Sequence, residues 1–295
     1  MSSTVTAHVT QSTPHPDRQT LIDARRVVIK VGTNVVMRDD GRPAMARLHA
    51  IAESIAELRG RDRDVVLVSS GAIGIGVQRL GLPERPQRLD LKQACAAVGQ
   101  GRLMGVYADA FDRLDLVSAQ VLLTEDDFAD AERYHNLRAT LNALLAIGAV
   151  PIVNENDTVS TLELERPGRD DGVTTSRAPV FGDNDKLSAL IAAKVDADLL
   201  ILLSDVDGLY DADPRSNPGA MLIPRVTGID DTMRRAAGNA GSRGRGGMAT
   251  KLDAAALATA AGVTTVVANG RTPAIIDRIC RGELLGTVFT AGDTQ

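Results

Sequence analysis

Short runs of almost wholly apolar residues recur along this sequence, separated by longer stretches with apolar residues at three- and four-residue spacing. Arg26–Val31 (RVVIKV), Asp64–Val68 (DVVLV), Ala149–Val153 (AVPIV), Asp198–Leu203 (DLLILL) and Thr264–Ala268 (TTVVA) have the length and composition of strands. Between the first two, Leu48, Ile51, Ile55 and Leu58 mark one face of a helix. A strand without polar alternation must be covered on both faces, as strands are in a parallel sheet between helices. The pattern therefore predicts an α/β fold, a mostly parallel central sheet with helices on both faces. The same reading places helices at Leu89–Leu114, Asn136–Ile147, Asp185–Lys194, Thr250–Ala261 and Pro273–Arg281, and strands at Asp115–Leu122 and Thr287–Phe289. Asp157–Phe181 reads as a hairpin or flap, Asp205–Pro224 as a Pro- and Gly-rich excursion, and Gly238–Gly247 as a polar loop. Residues 1–20 are polar and read as a disordered tail, and 21–295 as one domain with two lobes.

Composition narrows the partners. Aromatic residues are only 2% of the chain, so a core drawn from its 44% hydrophobic content is aliphatic. A net charge of −5 gives no overall field for nucleic acid or an anionic membrane. No run is long and apolar enough to span a bilayer, and the tail lacks the apolar segment of a secretion signal. Cys95 and Cys280 lie far apart and read as reduced thiols, which points to a cytoplasmic protein. His8, His15, His49 and His135 are scattered, without the spacing of a structural metal site.

The chemistry gathers at the strand ends. In open α/β sheets ligands collect beyond the carboxyl ends of the strands. Here those ends read Lys30-Val31-Gly32-Thr33-Asn34, Ser69-Ser70-Gly71-Ala72, Asn154-Glu155-Asn156-Asp157 and Ser204-Asp205-Val206-Asp207-Gly208. Glycine admits a close ligand, and a helix start offers unpaired N–H groups to an anion. One such turn is commonplace; four together point to a phosphate or carboxylate site. Lys30 ends an apolar strand. Either its stem packs while the ammonium reaches water, or it meets a phosphate. The stretch Gly244-Arg245-Gly246-Gly247-Met248-Ala249-Thr250-Lys251 matches G-x-G-x-x-G/A loosely, but no strand precedes it, and the Walker A spacing is absent. It is either a surface loop or a glycine loop opening a helix with Lys251 in its first turn. A cation there opposes the helix dipole unless an anion binds between them. In Gly182-Asp183-Asn184-Asp185-Lys186, Asp183 or Asn184 can serve as a plain N-cap. The remaining side chains are then free for other work, such as a carboxylate held between two lysines.

These residues together resemble the amino acid kinase family. The matching stretches are Val28–Asn34 (VIKVGTN), Val68–Ile73 (VSSGAI), Gln93–Gln100 (QACAAVGQ), Val153–Val159 (VNENDTV), Gly182–Asp185 (GDND), Leu203–Tyr210 (LSDVDGLY), Ala212–Pro218 (ADPRSNP) and Gly244–Lys251 (GRGGMATK). The NEND and GDND segments with GGM-x-x-K are similar to the branch that phosphorylates glutamate. Arg38–Arg42 and the glycine loop are also similar to the kinase half of bifunctional pyrroline-5-carboxylate synthases.

The resemblance implies ATP-dependent phosphorylation of the γ-carboxylate of L-glutamate, the first step of proline biosynthesis. It implies catalytic roles for Lys30, Lys251 and Asp185, with Asp185 organising the two lysines. Ser70, Gly71, Asp157 and Asn184 would bind glutamate. Lys30, Gly32, Ser204, Asp205, Arg245, Gly246, Gly247, Met248, Ala249, Thr250 and Lys251 would line the ATP site. Mg²⁺ would arrive on the ATP phosphates, with no metal ligand from the protein. L-proline would be the feedback inhibitor, acting near Thr158–Phe181, and the helices of Leu89–Leu114 would join a homodimer or tetramer. Many family members continue into a C-terminal PUA domain; this sequence stops where it would begin. Asn34 stands where Ser is common in the family, a change that a loop donating through its backbone should tolerate. Glutamate's carboxylate is already ionised at neutral pH, so the reaction would need charge neutralisation and alignment but no general base. For these the resemblance offers Lys30, Lys251, Mg²⁺ and the backbone N–H groups of the Gly32 and Gly71 turns. The alternatives are a sibling kinase acting on acetylglutamate or aspartate, or a non-catalytic nucleotide-binding protein on the same fold.

Overall fold

In the computed structural model, residues 18–159, 183–231, 233, 234, 237 and 247–290 are described. The chain begins with α1 (Gln19–Asp23), β1 (Arg26–Val31), α2 (Thr33–Val36), α3 (Met45–Arg59), β2 (Asp64–Ser69), α4 (Ala72–Arg79) and α5 (Leu89–Asp112). It continues with β3 (Ser118–Leu123), α6 (Asp126–Ala129), α7 (Ala131–Ala146), β4 (Val150–Glu155), α8 (Asn184–Lys194), β5 (Leu199–Ser204) and β6 (Arg225–Val226). The last elements are α9 (Met248–Ala260), β7 (Thr264–Asn269), α10 (Ile275–Cys280) and β8 (Thr287–Phe289). One sheet runs in the order β3-β4-β2-β1-β5-β7-β8-β6. The first six of these are mutually parallel; β8 pairs antiparallel to β7, and β6 parallel to β8. The parallel α/β sheet expected from the sequence is present, with an antiparallel margin.

Because side chains alternate across a strand, the sheet divides the core in two. Val27, Ile29 and Val31 face one cluster with Leu48, Ile55 and Leu58 of α3 and Tyr107 of α5. Val28 faces the other, with Leu137 and Leu141 of α7, Leu187 and Ile191 of α8 and Leu252 of α9. Lys30 has the parity of Val28, so its side chain lies on the α8 and α9 side. That parity decides which groups Lys30 can meet.

The strand β1 lies between β2, which follows it directly, and β5, which returns on its other side. This reversal is the switch point at which doubly wound sheets open a crevice. Two packing contacts shape its rim. A Cβ on Gly76 of α4 would lie 1.9 Å from the Cys95 carbonyl oxygen, and one on Gly99 of α5 would lie 1.7 Å from that of Ala72. Only glycine at both positions lets the two helices touch backbone to backbone, and so anchors the Ser70-Gly71 turn that leads into α4.

Some boundaries differ from those expected. The strand predicted from Asp115 starts at Ser118, because Asp115 has φ +55°, a turn conformation that a strand excludes. The helix predicted from Asn136 starts five residues earlier, at Ala131, capped by Asp130, whose carboxylate accepts from the Arg133 amide. Ala274 has φ +51°, so the last helix starts at Ile275 and not at Pro273. The 205–224 excursion doubles back on itself: Ile223 donates to the Leu209 carbonyl, and Asp211 to that of Met221. Arg18, placed in the tail by composition, is buried and donates to the carbonyls of Pro224, Leu285 and Gly286. The 157–181 flap lies outside the described residues from Ser160 onward, as does the 238–247 loop up to Gly246. Among the described residues, no helix is long and apolar enough to cross a membrane.

Candidate active site

Three charged side chains from three elements meet on the α8 side of the sheet. Lys30 Nζ at the end of β1 lies 2.6 Å from Asp185 Oδ1. Lys251 Nζ in α9 lies 3.1 Å from Asp185 Oδ2. All three are buried, Asp185 completely. Thr250, expected to line the nucleotide, has its hydroxyl 2.9 Å from the same Asp185 Oδ2 and 2.8 Å from the Gly247 carbonyl.

Local sequence explains how Asp185 comes to face inward. The α8 cap is Asp183, whose carboxylate accepts from the Lys186 amide at 3.0 Å. This resolves the two readings of the GDNDK stretch: capping takes Asp183, and Asn184 and Asp185 are left for the interior. Burial alone would push the Asp185 carboxyl up, but Lys30, then Lys251, then hydrogen bonds outweigh it and bring it down to about 2. The group is ionised throughout the physiological range, and the cluster carries one net positive charge. Two ammonium groups on one carboxylate form a preset cradle for an anion, since removing charges from water is tolerable only when they are paired.

Beside the cluster, Ser70 Oγ accepts from Asn184 Nδ2 at 2.9 Å, and the same nitrogen reaches Asn154 Oδ1 at 2.9 Å. Asn154 Nδ2 donates to Gln100 Oε1 of α5 at 2.9 Å. Ser69 and Tyr107 share a buried hydrogen bond of 2.9 Å. Burial keeps the Tyr107 phenol well above its ordinary value, so it stays neutral. Gly71 opens α4 at φ +104°, where a Cβ would lie 2.6 Å from Val36 Cγ1. Asp157 sits in the turn after β4, partly buried.

On the other side of β1, Asn34 Nδ2 donates to Asp205 Oδ2 at 2.8 Å, and Ser204 Oγ to Asp205 Oδ1 at 3.2 Å. Burial works against the Asp205 charge, but Asn34, Ser204 and Lys251 hold its carboxyl below the ordinary value. Gly247 is the N-cap of α9, with Met248 and Ala249 in its first turn. Arg245 and Gly246 lie outside the described residues.

Two residues of the β1 turn are tied within the fold. The Gly32 amide donates to the Leu203 carbonyl at 3.1 Å. The position is also tight, since a Cβ there would lie 3.2 Å from that oxygen and 3.5 Å from Lys30 Nζ. The Asn34 side chain ties the β1 turn to the β5 turn. Sequence reading gave no individual role to Gln100, Asn154 or Tyr107. Asn154 and Gln100 do lie in the NEND and VGQ stretches that carried the resemblance, and that was the available signal. A separate cavity of about 560 Å³, lined by Arg38, Met45, Arg47, Arg271 and Ile275 among others, opens by α3 and α10 and includes none of the lysine–aspartate cluster.

Comparison with known proteins places the sequence and the fold. The model of the amino acid kinase family matches residues 25–269. The glutamate 5-kinase of Geobacter sp. strain M21 is 46% identical over 273 residues, spanning 92% of this chain and 69% of the relative. That of Acaryochloris marina is 50% identical over 270 residues, spanning 90% and 69%. Among solved structures, an isopentenyl phosphate kinase substrate complex has TM-score 0.60 at 18% identity, covering 90% of this chain and 99% of that one. A UMP kinase from Bacillus anthracis has TM-score 0.55 at 18% identity, covering 90% and 96%. The solved structures share the fold, the relatives share the sequence, and the chain accordingly belongs to the amino acid kinase family, where it groups with the glutamate 5-kinases.

Proposed function

We propose that this chain transfers the γ-phosphoryl group of ATP to the γ-carboxylate of L-glutamate, giving L-glutamyl 5-phosphate and ADP, the first step of proline biosynthesis. The observation that carries the reading is the pair of buried lysines on the two oxygens of Asp185, set between the Ser70–Asn184 group and the Asn34–Asp205 turn. A carboxylate oxygen of glutamate attacks Pγ, the bond from Pγ to the β,γ-bridging oxygen breaks, and the electron pair leaves on ADP. No proton has to move, which suits a cluster without histidine. The barrier is repulsion between two anions and the alignment of attacker and leaving group. Lys30 and Lys251 answer the first; Ser70, Asn184 and Asp157 on one side, and Ser204 and Asp205 on the other, answer the second.

Mg²⁺ enters on the ATP phosphates. Both oxygens of Asp185 are engaged by lysine and threonine. The exposed Leu91 and Val98 of α5 are where we place a homo-oligomer contact, which light scattering on the eluting protein would test.

The test is ATP turnover with Mg²⁺ and L-glutamate, trapping the acyl phosphate with hydroxylamine, beside L-aspartate and N-acetyl-L-glutamate. Hydroxamate from glutamate alone is the expected result, and adding L-proline to the same assay tests feedback. Product from a control alone overturns the substrate while keeping the mechanism. No product from any of the three overturns the kinase reading in favour of nucleotide binding without catalysis.

A further inference from the structure

Four polar side chains beside the lysine–aspartate cluster form a directed line. Gln100 Oε1 accepts from Asn154 Nδ2, Asn154 Oδ1 accepts from Asn184 Nδ2, and Asn184 Nδ2 also donates to Ser70 Oγ, each at 2.9 Å. Gln100 and Asn154 are buried. A primary amide has an oxygen that only accepts and a nitrogen that only donates, so the orientation of one amide dictates the next. With the Gln100 oxygen toward Asn154, Asn154 turns its nitrogen to Gln100 and its oxygen to Asn184. Both N–H groups of Asn184 are then committed.

What remains is Asn184 Oδ1, buried and without a hydrogen-bond partner among the described residues. A buried acceptor without a donor is costly to maintain, and a ligand that supplies the donor removes that cost. Ser70, having accepted from Asn184, keeps its own hydroxyl hydrogen to give. The line therefore ends in one acceptor and one donor side by side. That pair complements an ammonium group next to a carboxylate, the head of a free α-amino acid.

Gln100 has little room to turn away. Its neighbour Gly99 lies against the Ala72 carbonyl, and two turns further along α5 Tyr107 bonds Ser69. Helix α5 thus holds the Ser69–Ala72 segment at two points, and Gln100, on the same helix, carries direction to Asn154 of β4.

We propose that Gln100 is a positioning residue that sets the donor–acceptor direction of this relay and so makes the site select a free α-ammonium group over a substrate that lacks it or carries it acylated. The inference rests on the reading of the chain as a glutamate kinase. It adds a residue with no direct contact to substrate as the origin of the amino-group preference. Sites built to satisfy a buried hydrogen-bonding group discriminate strongly against ligands that leave it unpaired.

The experiment compares L-glutamate with glutarate and N-acetyl-L-glutamate in wild type, Gln100→Leu and Gln100→Glu. For each, kcat and KM come from ADP release, and dissociation constants come from calorimetry. In Gln100→Leu, kcat/KM for glutamate should fall roughly 10- to 100-fold, mostly through KM, while KM for ATP stays within about twofold. Glutarate should lose far less, so the preference for the amino group collapses by about tenfold or more. Gln100→Glu keeps an accepting oxygen and should hold the preference within about threefold of wild type. Equal losses on glutamate and glutarate in Gln100→Leu would mean a merely structural role and overturn the proposal. So would a Gln100→Glu variant as indiscriminate as the leucine one. Gln100→Met, which keeps the side-chain length, replaces the leucine variant if circular dichroism shows that to be unfolded. A wild type that binds glutamate without phosphorylating it defeats the functional reading alone, and the ratio of binding constants then decides the relay.

Discussion

Asp185 joins Lys30 and Lys251 without touching solvent, so each lysine is fixed by a charge that is itself fixed. Pre-set cations act on the charge that develops in the transition state because no reorganisation is needed when it appears. Lys30→Ala or Lys251→Ala should lower kcat roughly 10²- to 10³-fold while circular dichroism still shows a cooperative folded protein. A folded Lys30→Ala enzyme with near-normal turnover would contradict the role. The acid limb of stability belongs to the same residue. Folding moves the Asp185 carboxyl from 3.8 to about 2, so the unfolded chain binds that proton more readily. The resulting stabilisation, about 2 kcal/mol, is complete above the unfolded value and disappears as pH falls through 2. Denaturant titrations at a series of pH values should show a loss between about pH 4 and pH 2 in wild type that Asp185→Asn lacks. The same acid loss in both proteins would assign it to other groups.

The element that delivers Ser70 is the turn between β2 and α4, and it works only with glycine at position 71. An alanine there would hold a strained φ of +104° and drive its Cβ into Val36 of α2, which cannot move without shifting the Asn34 tie to Asp205. Gly71→Ala should destabilise the fold by about 1–3 kcal/mol. It should raise KM for the carboxylate substrate more than KM for ATP, because Ser70 is displaced directly and the nucleotide turn only through α2. Thermal melts read the first effect and initial rates the second; equal KM effects would contradict this division of the rim.

Across the molecule, the sheet was legible wherever strands are buried on both faces. The strands β1, β2, β4, β5 and β7 appear as apolar runs because helices cover both their sides. The edge strand β3, mostly half-buried, was placed three residues early, and the two-residue β6 carries too little pattern to be found. Lys30 stood out because a cation in an apolar strand demands a reason, and Asp185 because one carboxylate of the GDND run sufficed as cap. The links made by Gln100, Asn154 and Asn34 were not legible, although all three lie in motifs singled out from the sequence, because nothing in an amide's local sequence tells a solvated side chain from a buried link. Only the packing of α5 on α4, allowed by two distant glycines, makes that distinction. The account as a whole claims that a substrate carboxylate, and not water, takes the phosphoryl group. Glutamate labelled with ¹⁸O in its γ-carboxylate tests this directly, with hydroxylamine present and the released phosphate read by mass spectrometry. One ¹⁸O atom carried from glutamate into phosphate is the predicted result; phosphate free of label would show that water attacks ATP, and would contradict it.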